Sequence, residues 1–401
     1  MEPMLPPEGT RVLEDLAVEL VACSARLAGK LAGDTVFAIS DLVRSMNCYY
    51  SNLIEGHNTH PVDIERALRG DYSREPGKRD LQKEAFAHIA VQQMVDDPGM
   101  KFKAITSKDH IIWIHREFCS RLPDDMLKNR DPSTGKEVGV VPGKLRDGEV
   151  LIGGHLAPVA ARLNDFLDLF ERRYEPENLS RVMRIIAVAA SHHRLLWIHP
   201  FYDGNGRVAR LFSHVYLKAL GLGSGLWSVS RGLARNVADY KLRLAAADRW
   251  REGDTDGRGS LSLKGLVEFC EFFLSVCIDQ VKFMESLLEP STLVDRVRRF
   301  CLERVEAKKL PSGSFELLRE LILAGPVPRS RVQEVTGYRE RKSTSVASAL
   351  IKAGYIRSAS PRAELRLHIP YEAVEAWFPR LYPADLALVN GSPTNFLERS
   401  W

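Results

Sequence analysis

The chemistry of this chain is densest in twelve consecutive residues, His199-Pro-Phe-Tyr-Asp-Gly-Asn-Gly-Arg-Val-Ala-Arg210. This polar stretch lies between two strongly apolar segments and reads as a loop entering a helix, with Asp203, Gly204 and Asn205 as turn and cap residues. Gly204 and Gly206 carry no side chain, so their backbone N–H groups can approach a ligand closely. The free N–H groups of a helix N-terminus form an anion site that suits phosphate. Arg207 and Arg210 stand three residues apart and project from neighbouring faces of a helix. Their forked donors match two successive phosphates. Asp203 offers a hard carboxylate oxygen of the kind that joins Mg²⁺ to substrate phosphates. His199 has an ordinary pKa near neutrality and is the natural general base. Together these residues describe phosphoryl or nucleotidyl transfer. No G-x-x-x-x-G-K-[ST] occurs, so the phosphate site is not a P-loop.

The elements that must position this loop are mainly helical. Apolar residues recur at three- and four-residue spacing over 13–31, 36–54, 81–95, 159–174 and 182–198. Residues 132–154 are rich in Gly, Pro and Asp, and RDGEVLIGG within them reads as a hairpin turning at Asp147-Gly148. KKLPSGS, residues 308–314, is a linker signal. Beyond it come short helices over 315–323 and 329–335, a helix over 341–353, and two strands over 355–357 and 365–368. That order is the pattern of a winged helix-turn-helix. From Arg329 to Arg366 nine Lys or Arg face three Glu, a local charge of +6. Such a footprint suits DNA, with Arg339, Arg341 and Lys342 opening the recognition helix and Arg362 at the wing tip. Residues 371–401 show no clear pattern.

Composition sets the outer bounds. The 401 residues are 45% hydrophobic and 27% charged, ordinary for a globular protein of two or three domains. The net charge of +4 is too mild to make the whole chain a polyanion binder. None of the six cysteines forms a C-x-x-C pair, so they read as buried small hydrophobes. No apolar stretch reaches membrane-span length and the acidic N-terminus is not a signal peptide, which gives a cytoplasmic, membrane-free expectation.

The 199–210 segment resembles the signature of the Fic family, H-x-F-x-[DE]-G-N-G-R-x-x-R, at every fixed position. The resemblance extends over residues 36–280 and implies a mainly α fold: a Fic-type helical bundle with a β-hairpin flap, with the winged helix as an optional companion. It implies an N-terminal helical region over 1–110, a core over 111–307, a winged helix over 314–370 and a tail over 371–401. Pro142 to Gly153 resembles the flap, about 142–154, where Leu151, Ile152 and Gly153 would hold an extended target segment by main-chain bonds. Ser51-Asn-Leu-Ile-Glu55-Gly56 resembles the inhibitory motif [ST]-x-x-x-E-[GN], on a helix of about 41–56. Its glutamate pairs in the family with the second motif arginine, here Arg210. Asn236 and Tyr240 resemble a segment near the nucleotide base, while His192 reads as a packed core histidine.

The activity so implied is transfer of AMP from ATP to a Ser, Thr or Tyr hydroxyl of a protein, the chain itself included, autoinhibited by Glu55. By family precedent His199 deprotonates the attacking hydroxyl, Asp203 holds Mg²⁺, and Gly204, Asn205 and Gly206 line the anion hole. Arg207 and Arg210 bind the β- and γ-phosphates, and Phe201 anchors the loop. Family members also carry out phosphotransfer or remove AMP. A second class of function is a DNA-binding transcriptional regulator with a Fic-like sensor core. The target, and whether the chain forms a homodimer, stay open.

Overall fold

The computed structural model describes residues 1–30, 33–97, 99, 104–130, 135, 137–223 and 225–383. The chain opens with α1 (Arg11–Gly29) and α2 (Gly33–Ile54), followed by α3 (Pro61–Leu68), α4 (Pro76–Asp96) and α5 (Lys108–Cys119). A hairpin of β1 (Lys128–Arg130) and β2 (Glu137–Gly139) and a second of β3 (Leu151–Ile152) and β4 (His155–Leu156) precede α6 (Leu163–Tyr174). Then come α7 (Arg181–Ile198), α8 (Asn205–Ala219), α9 (Val229–Arg235), α10 (Val237–Asp248) and α11 (Leu263–Leu287). Ser107, Ser180, Ser228 and Ser262 start α5, α7, α9 and α11 by accepting a first-turn N–H, and proline opens α3, α4 and α12 (Pro290–Glu306). Both devices settle groups that a helix end leaves unpaired.

The core forms where apolar stripes face one another. α7 is buried on all sides from Ile185 to Leu195, wrapped by α1, α6, α8 and α11. α1 lies along α11, and α2 packs on α4 and α9. All six cysteines are buried and free. No helix among the described residues is long and apolar enough to cross a membrane. The helices expected over 13–31, 36–54, 81–95, 159–174 and 182–198 correspond to α1, α2, α4, α6 and α7.

Two expectations need correction, and part of a stretch left open gains structure. The hairpin does not turn at Asp147-Gly148: Leu151 pairs with Leu156 and Ile152 with His155, so the turn is Gly153-Gly154, with Gly153 at φ 57. Left-handed backbone is what such a tight turn demands. Asp147 is instead engaged by the Tyr202 hydroxyl and by Lys144, at 2.7 and 2.8 Å. The seam of the C-terminal unit is also not at 308–314. α12 packs on α13 (Ser314–Leu323) and α16 (Tyr371–Trp377), so the unit starts near Pro290, and the linker signal is an internal turn. The tail is partly structured too, since α16 buries Trp377 beside Phe300 and Tyr355; residues 384–401 of that tail lie outside the described residues.

The rest of the unit has α14 (Val332–Thr336), α15 (Glu340–Lys352) and the antiparallel pair β5 (Ile356–Arg357) and β6 (Arg366–Leu367), extended by a Val327–Leu365 bridge. It rests on the back of α2. Thr35 donates to the Ile322 carbonyl (3.0 Å) and Tyr50 to the Leu381 carbonyl (2.8 Å), while Arg231 donates to the Arg380 carbonyl (2.8 Å).

Candidate functional site

α7 ends at Ile198, and His199 caps it in the left-handed conformation, φ 48 and ψ 63. That backbone turns the chain out of the helix and into the loop. The ring is half-buried, and its Nδ1–H donates to the Leu196 carbonyl (3.4 Å), leaving Nε2 as the basic nitrogen. Loss of solvent lowers its pKa to about 4, so the ring is neutral at ordinary pH. Phe201, fully buried, stacks on His115 with ring centres 3.7 Å apart and planes 2° from parallel. Asn205 closes the loop: its Oδ1 accepts from the Phe201 N–H (3.1 Å) and its Nδ2 donates to the Phe201 carbonyl (2.9 Å). The Asn205 side chain is therefore committed to the loop, and only its backbone faces the anion site. Gly204 caps α8 at φ 78, and its N–H donates to Asp203 Oδ1 (2.6 Å). Asn205, Gly206 and Arg207 form the first turn of α8, whose N–H groups have no acceptor within the helix.

Both arginines are drawn inward, Arg207 to 6% exposure and Arg210 to 3%. Arg210 donates through Nε to Ser51 Oγ (2.9 Å) and through Nη2 to the Ser51 carbonyl (3.1 Å) and Glu55 Oε1 (2.5 Å). Gly56 ends α2 at φ 83, which halts the helix directly after Glu55. The Glu55 carboxylate lies so close over the first turn of α8 that a Cβ at Gly206 would collide with Oε1. It thus stands at the helix N-terminus, a position suited to an anion. Desolvation raises its pKa, but Arg210 and then Arg207 outweigh that, and the carboxyl is held below its ordinary value. Ser51, Glu55, Gly206 and Arg210 are brought together.

Several participants escape sequence reading. Arg146, 2% exposed, lies at the root of the flap and grips the loop on both sides of His199. Its Nε donates to the His199 carbonyl (2.7 Å), its Nη2 to Ile198 (3.3 Å) and Pro158 (2.5 Å), its Nη1 to Gly148 (2.8 Å), and its backbone N–H to Pro200 (3.0 Å). His115, besides stacking on Phe201, accepts from the Gly143 N–H (2.9 Å) and so ties α5 to the flap root. Glu84 of α4 pairs with Arg207 and with His57 (2.7 Å). None has a local signal; only the Arg in PGKLR falls within a segment the resemblance singles out. A cavity of about 230 Å³ opens beside Asp203, Gly204 and Arg207, walled by Phe118, Leu127 and Val140 among others.

The remaining candidates sit further out. Tyr240 is 3% exposed and hydrogen-bonded to His192 (2.8 Å), which also meets Ser213 (2.8 Å). That places Tyr240 in the layer behind the arginines. Asn236, at the break between α9 and α10, is exposed and donates to the Gly232 carbonyl (2.9 Å). Leu151 and Ile152 are solvent-facing, at 52% and 37% exposure, as a docking strand requires. Arg339, Arg341, Lys342 and Arg362 are exposed on the C-terminal unit, apart from the loop, and Lys342 lies 3.5 Å above the Tyr338 ring.

Residues 105–217 match the family model described as Fic/DOC family. A protein named protein adenylyltransferase Fic from Drosophila melanogaster is 34% identical over 174 residues, 43% of this chain and 32% of the fly protein. The protein of that name from Nematostella vectensis is 30% identical over 175 residues, 43% of this chain and 37% of its own length. The chain thus spans about a third of the curated relatives it matches. Among solved structures, a Fic family protein from Desulfovibrio desulfuricans superposes with a TM-score of 0.54 at 18% identity, covering 91% of this chain and 98% of that one. This likeness shows the fold.

Proposed function

We propose that this chain, whose residues 105–217 form a Fic/DOC domain, transfers AMP from ATP to a hydroxyl of a protein target and is held back by Glu55. The observation that carries this reading is the single loop and first turn of α8 that bear His199, Asp203, Arg207 and Arg210, with Asp203, Gly204 and Arg207 bordering one cavity and Glu55 bound to Arg210. The names of the matched relatives support the same activity.

In this reading the target hydroxyl gives its proton to His199 Nε2 as its oxygen attacks the α-phosphorus; a new O–P bond forms and pyrophosphate leaves. The first turn of α8 holds the phosphates by backbone N–H groups, and the arginines balance the charge beyond. Catalysis is then mainly positioning and charge stabilisation. Asp203 is the group that would hold Mg²⁺: its Oδ1 accepts from the Gly204 N–H, and the side chain borders the cavity. No cluster of three ligating side chains occurs among the described residues, so the donor set suits an ion shared with phosphates rather than a protein cage. Mg²⁺ there would supply charge neutralisation. Leu151, Ile152 and Gly153 would align the target strand, and Asn236 and Tyr240 would border the base.

The exposed Arg339, Arg341, Lys342 and Arg362 favour a second role, DNA contact through α15 and the β5–β6 hairpin. Intact-mass measurement after incubation with ATP and Mg²⁺ tests the main reading. An AMP increment on Glu55→Gly protein, absent from His199→Ala, is expected. A bare phosphate increment would indicate phosphotransfer, and no increment with a salt-sensitive DNA shift would favour the regulator.

A further inference from the structure

Both motif arginines are paired with carboxylates, and the two carboxylates differ in what they can do. Glu55, on Arg210, has a side chain 30% exposed at the very end of α2, where it can swing into water. Glu84, within α4, has a side chain 1% exposed and uses both oxygens: Oε1 meets Arg207, and Oε2 lies 2.7 Å from His57 Nδ1. Arg207 Nη2 is itself 3.1 Å from His57 Nδ1, and the guanidinium lies 5.6 Å from the centre of the Phe118 ring. A carboxylate without solvent around it cannot trade its partner for water, because the bare charge would remain buried. Arg207 is therefore held whether or not a nucleotide is present.

The grip falls on Nη2. Arg207 Nε is buried and has no hydrogen-bond partner among the described residues. The same side chain lines the cavity that Asp203 and Gly204 border. A buried donor left unpaired is costly unless a ligand completes it.

We infer that Glu84 and His57 are positioning residues for nucleotide binding, gripping Arg207 at Nη2 so that its guanidinium is held beside the cavity for the phosphate beyond the α-phosphate. Glu84 touches no phosphate; it acts through Arg207. The two carboxylates divide the labour, with Glu55 as a removable brake and Glu84 as a fixed anchor. The inference rests on the nucleotidyl-transfer reading above.

Titration calorimetry of AMP and ADP, with Mg²⁺, against the full chain in the Glu55→Gly background tests it. AMP lacks the phosphate that Arg207 would meet. Glu84→Ala is expected to weaken ADP about tenfold, the scale of one charge-assisted hydrogen bond, and AMP by less than about twofold. Glu84→Gln, whose amide oxygen can still accept from Arg207 and whose –NH₂ can donate to a neutral His57 Nδ1, should restore ADP binding to within about threefold of the parent. If Glu84→Ala does not fold, Glu84→Asp, with its carboxylate drawn back, should show the same selective loss. Equal loss of AMP and ADP, or loss of neither, overturns the inference. If the Glu55→Gly parent binds neither nucleotide, the transfer reading itself fails and the inference falls with it.

Discussion

His199 holds a neutral ring at ordinary pH because burial lowers its pKa to about 4. A base must be unprotonated to act, so transfer should be flat from about pH 5 to 8 as far as His199 is concerned, and fall only as acid protonates it below that. A kcat/KM profile of the Glu55→Gly protein measures this; an acidic limb centred near pH 6.5 would show an unburied ring. His199→Ala should lower transfer by about 10²–10⁴-fold while ATP binding persists, since the phosphate contacts belong to α8 and the arginines. Arg146 supplies the complementary test. Replacing it with Met leaves the carbonyls of Ile198, His199, Gly148 and Pro158 without their donor. We expect a loss of about 3 kcal/mol in urea unfolding together with reduced kcat. The residues that sequence alone reveals are those contiguous along the chain: the 199–210 loop writes its chemistry in one run of types. Arg146 and Glu84 are invisible there because their roles arise from partners that only the packing of α4, α7 and the flap brings near.

At the scale of elements, α2 sets what stands over the loop. Just past its last turn Glu55 lies on Arg210 and over the first turn of α8, so in the proposed reading a γ-phosphate and Glu55 compete for one guanidinium. Misplacing a reacting group by about 1 Å can cost around 100-fold in rate. Glu55→Gly should therefore raise AMP labelling well above wild type, and Arg210→Ala should lower it again in that background. If Glu55→Gly labels no faster, with folding verified by circular dichroism, the brake is not Glu55. The helices were legible because their apolar stripes repeat at the helical period over long windows. Two boundaries were not. Asp147-Gly148 and Gly153-Gly154 are both able turn formers, and the pull of Tyr202 and Lys144 on Asp147 settles the matter at long range. α12 reads as core by its continuity with α11, yet its apolar face meets α13 and α16.

Across the whole molecule, buried histidines set the response to acid. Burial lowers His88 and His192 to about 3, and His110 and His115 to about 4. Each is depressed below its unfolded value near 6.5, so the unfolded chain binds more protons, and stability is lost as pH falls from 6.5 towards 3–4. Each such histidine contributes up to about 1.4 kcal/mol per pH unit in that window. His57, raised by its hydrogen bond to Glu84, has the opposite sign. Urea midpoints at pH 7, 6 and 5 should descend steeply. For the DNA contact proposed for the C-terminal unit, neutralising Arg341 and Lys342 together should flatten the salt dependence of any mobility shift by about 0.9 per lost phosphate contact, and an unchanged slope would point to a protein-binding role. The left-handed backbone of His199 ties the whole molecule to its loop in another way. A side-chain-bearing residue at φ 48 costs about 1–2 kcal/mol relative to ordinary helical backbone, and asparagine tolerates that region more readily than most. His199→Asn protein should therefore melt no lower than the parent while losing the proposed transfer, so the backbone turn and the proton acceptor at this one position can be separated by a thermal melt.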